Sequence, residues 1–117
     1  MKIDQKKAIS IMNRKKAKIF IVKYSYKHKV MTAKISKFSG YAKLMTLKVE
    51  KQQRLHINYR VLNGSCILGY VQDKKFIQLA DAKFNQEISL DNRKGFIRFK
   101  VIGEQADVHL EIKKIDG

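Results

Sequence analysis

From Lys18 onward, apolar and polar residues alternate with a period of two, the pattern of β-strands that turn one face into a dry interior. Leu55 to Val71 shows it most fully. Leu55, Ile57, Tyr59 and Val61 alternate with His56, Asn58 and Arg60, and Asn63-Gly64 follows. An Asn-Gly pair tolerates the positive φ that both central positions of a type I′ turn require. The stretch therefore predicts a central hairpin with Val61 opposite Cys66, Tyr59 opposite Leu68 and Ile57 opposite Tyr70 on the buried face.

The same reading covers the rest of the chain. Lys18 to Tyr24 and Lys29 to Phe38 predict strands, Ser39-Gly40 a turn, and Tyr41 to Glu50 a strand with Met45, Leu47 and Val49 on one face. After Val71, Gln72 to Lys75 reads as a turn, Phe76 to Ala80 as a strand, Asp81 to Gln86 as a loop and Glu87 to Leu90 as a strand. Asp91 to Gly95 is a turn signal. Ile97, Phe99 and Val101 point inward from the next strand, Gly103 to Asp107 turns the chain, and Val108, Leu110 and Ile112 face inward from the last. About eight or nine short strands at this spacing predict an all-β fold, a two-sheet antiparallel sandwich of jelly-roll or immunoglobulin-like type. It spans residues 17–117, preceded by a basic N-terminal arm or short helix over residues 1–16.

Length and composition fit that plan. A chain of 117 residues suits one domain that buries ~65% of its unfolded surface. The longest apolar run in the signal-peptide-like stretch from Met12 to Val22 is Ile19 to Val22, below the ~7–15 residues of a secretory core, and nothing approaches the ~20 residues of a membrane helix. We therefore expect neither a signal peptide nor a transmembrane segment in the chain.

Phe38-Ser-Gly, Leu47-Lys-Val, Leu55-His-Ile-Asn-Tyr, Gly64-Ser-Cys-Ile-Leu, Glu87-Ile-Ser-Leu, Gly95-Phe-Ile-Arg-Phe-Lys-Val-Ile-Gly and His109-Leu-Glu-Ile follow one another through residues 38–112. This succession resembles small β-sandwich domains of uncharacterised Gram-positive bacterial proteins, many of them envelope lipoproteins. The resemblance implies a non-enzymatic module exposed outside the cell, although the chain lacks the lipobox cysteine of those proteins.

Charge changes the picture most. The net charge is +16, and residues 1–38 hold twelve Lys or Arg against Asp4 alone, a net of +11. Such a field attracts nucleic acid, anionic lipid headgroups or teichoic-acid-like wall polymers. Lys23-Tyr24-Ser25-Tyr26-Lys27-His28-Lys29 interleaves cations with aromatics, a composition that combines phosphate contacts with stacking. The predicted contact surface is Lys15, Lys16, Lys18, Lys23, Tyr24, Tyr26, Lys27 and Lys29. The bland alternative is that the lysines keep the sheet soluble and guard its edges, and that Tyr24 and Tyr26 are a half-buried pair.

Signals for catalysis are poor. Cys66 points into the predicted core, so we expect a structural thiol. His28, His56 and His109 lack the short spacings of a zinc site, no glycine-rich phosphate loop occurs, and no two carboxylates can be assigned acid and base roles, so neither metal nor cofactor is expected. The sequence thus predicts a binding or interaction module for an anionic polymer or surface, with a nucleic-acid-binding accessory protein and a structural or assembly subunit as alternatives.

Overall fold

The computed structural model describes residues 14–49, 53–90 and 95–115. They form seven antiparallel strands: β1 Arg14–Lys16, β2 Ile19–Ser25, β3 Val30–Val49, β4 Arg54–Gln72, β5 Lys75–Ala80, β6 Lys83–Ser89 and β7 Gly95–Ile115. All belong to one hydrogen-bonded sheet, in which β7 lies between β3 and β4. β1 and β2 line the far side of β3, and β5 and β6 the far side of β4. The all-β, antiparallel expectation holds. The two separately bonded sheets expected from the sequence are replaced by one continuous sheet, and no helix occurs among the described residues. Of the expected N-terminal arm or helix, Arg14–Lys16 is strand, and residues 1–13 lie outside the described residues.

Three predicted turns are bends inside strands. Leu55 to Val71 is not a hairpin: it belongs to the single strand β4, and its two arms pair with β7 instead of with each other. Ile57 faces Ile112, Tyr59 faces Leu110, Leu68 faces Val101 and Tyr70 faces Phe99. Ser39-Gly40 and Gly103 to Asp107 likewise lie within β3 and β7. The predicted loop Asp81 to Gln86 mostly belongs to β6, paired with β4.

Length explains why these strands bend. At about 3.3 Å per residue, the 20 residues of β3 would stretch ~66 Å if straight, whereas the longest dimension of the molecule is 37 Å. The bends are aligned. At this level, register shifts fall between Ile35 and Gly40 on β3 and between Val61 and Ser65 on β4, and both meet β7 at Gly103 to Asp107; β3 has a further shift between Lys43 and Met45. Each shift inserts a residue, which exchanges the inward and outward sides of the strand. On β7 the buried positions change from Ile97, Phe99 and Val101 to Ala106, Val108, Leu110 and Ile112; on β4 they change from Leu55, Ile57 and Tyr59 to Cys66, Leu68 and Tyr70. Inner faces on both sides of the bend join one core cluster. The Tyr59 hydroxyl donates to the Cys66 carbonyl at 2.6 Å, tying the two arms of β4 across the bend.

Asp107, on the middle strand, binds both neighbours along this line. Its Oδ1 accepts from the Lys37 backbone N–H at 2.9 Å and from the Ser36 hydroxyl at 3.1 Å, and its Oδ2 accepts from the Asn63 amide at 2.9 Å. The Lys37 N–H, then the Asn63 amide, hold its carboxyl below the ordinary carboxylate range, and the Ser36 hydroxyl and the Lys37 charge add to this. Gln105 N–H donates to Ser39 Oγ at 3.0 Å in the same line. Backbones also approach closely here. Gly64 has φ +73°, and a Cβ on it would lie 2.1 Å from the Gln105 carbonyl oxygen.

Two outcomes follow. Gly64→Ala forces a side chain into a left-handed backbone and against Gln105, and should cost at least ~2 kcal/mol in urea unfolding; a change below ~0.5 kcal/mol would contradict the placement. A carboxyl whose folded pKa is depressed contributes stability that is complete above its unfolded value, about 3.9, and is lost as pH falls through the folded value. Between about pH 5 and about pH 3 the melting temperature should therefore fall less for Asp107→Asn than for the parent protein.

Candidate anion-binding face

On one side of the bend, five strands run in the order β2, β3, β7, β4 and β6. Strand alternation sends Ala33, Tyr59, Val108 and Leu110 into the core and leaves Lys34, Arg60 and His109 exposed on the outer surface, with Lys83 exposed beside them. Register makes these four a row: Lys34 is opposite His109, His109 opposite Arg60, and Arg60 opposite Lys83. With strands ~4.8 Å apart, the row extends about 14 Å across the sheet. It borders a depression of about 490 Å³.

Two residues farther along the strands lies a second row, Lys23, Thr32, Glu111, Asn58 and Asn85, again in direct register and exposed. His56 and Lys113 come next, with the His56 imidazole 2.7 Å from Asn85 Oδ1. Near the β2–β3 turn a neighbouring depression of about 650 Å³ is lined by Lys27, His28, Lys29, His56, Lys113 and Glu111, so Glu111 borders both hollows.

The predicted contact residues are divided by this geometry. Lys23 stands on the outer face, and Lys27 and Lys29 line the second hollow. Lys15 and Lys16 belong to β1, opposite Gly40 and Ser39 near the bend, and Lys18 N–H donates to the Ser36 carbonyl close by. β2 separates Lys18 from Lys27 by nine residues, ~30 Å of extended chain. Tyr24 turns inward toward the core while Lys23 turns outward, so cation and ring do not share a surface. Tyr24 meets Tyr26 edge-on, centroids 4.7 Å apart, and both line a separate cleft of about 340 Å³ with Met31, Leu44 and Met45. The sequence alternation set Arg60 opposite the buried positions of its strand but did not join it to Lys34 or His109, and Lys83 fell in a predicted loop. Their one local signal is the outward phase of the alternation.

The other chemical candidates are spread apart. Among the described residues no three of His, Cys, Asp and Glu gather as metal ligands. Cys66 is buried, and burial pushes its thiol up to about 11. Among the described residues Lys100 is the one charged side chain in the interior, and burial, then the nearby Arg98 charge, lower its ammonium to about 8. No described helix is long and apolar enough to cross a membrane.

No family model matches the chain, and no curated protein matches it. Its fold is similar in part to the crystal structure of a protein of unknown function from Vibrio parahaemolyticus, with 9% identity and a TM-score of 0.33 over 86% of this chain and 97% of that one.

A thiol held in the protonated form reacts slowly with alkylating reagents. Iodoacetamide should accordingly label Cys66 in urea and leave it largely unmodified in the native protein at neutral pH; rapid native labelling would contradict its burial.

Proposed function

We propose that the protein is a non-enzymatic binding module that takes an anionic polymer on the outer face of β3, β7, β4 and β6, with the doubled sheet serving as the two layers of a sandwich. The observation that carries this reading is the row Lys34, His109, Arg60 and Lys83, gathered in register from four strands. Cations spread over about 14 Å suit successive charges of a chain better than one small anion. Lys27, Lys29 and Lys113 beside the second hollow extend the path toward the β2–β3 turn. A net charge of +16 adds long-range attraction. The resemblance of residues 38–112 to envelope domains directs the proposal toward a polymer of the cell envelope.

Salt dependence tests it. If Lys34, Arg60 and Lys83 each neutralise one phosphate of a flexible polyphosphate chain, log K should fall against log salt with a slope near −2, at about −0.7 per contact. Arg60→Ala should reduce that slope by about 0.7 and weaken binding several-fold, whereas Lys16→Ala, at the bend, should change it little. A flat salt response, or a larger loss from Lys16→Ala than from Arg60→Ala, overturns the assignment of this face.

A further inference from the structure

We infer that the chain bound on this face is a phosphodiester polymer without nucleobases that carries free hydroxyl groups, a polyol or sugar phosphate. This inference rests on the polyanion reading and adds the chemistry between the phosphates.

The first observation is what accompanies the cations. About 7 Å along the strands from the row of Lys34, His109, Arg60 and Lys83, the row of Thr32, Glu111, Asn58 and Asn85 lines the same depression. A carboxylate accepts hydrogen bonds and donates none, and it repels phosphate. A group seated over Glu111 must therefore be a donor. A hydroxyl between two phosphates meets that demand, and the Thr32 hydroxyl and the Asn58 and Asn85 amides offer further partners to the same kind of group. A chain of bare phosphates would leave Glu111 as an obstacle.

The second observation concerns aromatic side chains. Phe20, Tyr24, Tyr59 and Phe84 all belong to this half of the sheet, and all pack on or within the core on its inner side. Outward positions of the described strands in this half carry no Phe, Tyr or Trp. Binding of single-stranded nucleic acid draws ~1–3 kcal/mol per base from stacking on such rings. The outward strand positions thus offer bases no Phe, Tyr or Trp platform, and the exposed Tyr26 lies beyond both rows in the β2–β3 turn, edge-on to Tyr24, whereas polyol units need no ring at all.

Three fluorescent phosphodiester oligomers of equal length and charge separate these chemistries: one of glycerol units with a free hydroxyl on each, one of propanediol units without it, and oligothymidine. By anisotropy with the full chain, the glycerol oligomer should bind about 3–10-fold more tightly than the propanediol oligomer, the effect of one or two hydrogen bonds. Oligothymidine should bind no more tightly than the propanediol oligomer. Glu111→Ala should tighten the propanediol oligomer by removing a like charge, and should abolish the preference for glycerol. Equal binding of the glycerol and propanediol oligomers, or tightest binding of oligothymidine, overturns the inference while leaving the polyanion reading intact. Salt-insensitive or absent binding of all three removes both.

Discussion

The architecture depends on a bend that crosses three hydrogen-bonded strands at the same level. β3, β4 and β7 are each too long to lie straight in a molecule whose longest dimension is 37 Å. An inserted residue in each lets the strand bend while keeping its apolar side chains inside. The interior is therefore lined by both arms of the same strands, whose apolar side chains join one core cluster. Asp107 lies where the middle strand meets both neighbours, and its hydrogen bonds to Ser36, Lys37 and Asn63 keep the three local bends in phase. Out of phase, the strands would lose ladder bonds on one side of the line and bury polar side chains on the other.

The candidate site is a consequence of that arrangement. Lys34, Arg60, Lys83 and His109 lie far apart along the chain and become neighbours because β7 pairs with both β3 and β4 over most of its length, while β6 pairs with residues 54–60 of β4. Charge that is lopsided in sequence is spread differently in space. The described lysines of the N-terminal third divide among the bend, the outer face and the β2–β3 turn, and the late strands, nearly neutral by count, contribute His109, Lys83 and Lys113 to the basic face. Glu111, which in one dimension only lowers the net charge, acquires a chemical meaning once it lines the same hollow as Lys34 and Arg60.

What the sequence determined by itself was the inward or outward phase of most positions. Leu55, Ile57, Tyr59, Cys66, Leu68 and Tyr70 were legible as core, and all are essentially sealed from solvent. Phase follows from local alternation, which a short window of residues carries. Tertiary structure alone decided whether each change of phase was a turn or a bulge. Asn63-Gly64, Ser39-Gly40 and Gly103 to Asp107 carry residues suited to tight turns and to left-handed bulges alike, because both use the same backbone conformations and both interrupt the alternation. The choice rests on which distant strand offers its hydrogen-bonding groups. Here β7 pairs with both arms of β3 and β4, so the chain bends without reversing into a hairpin, and the basic row exists only through that long-range register.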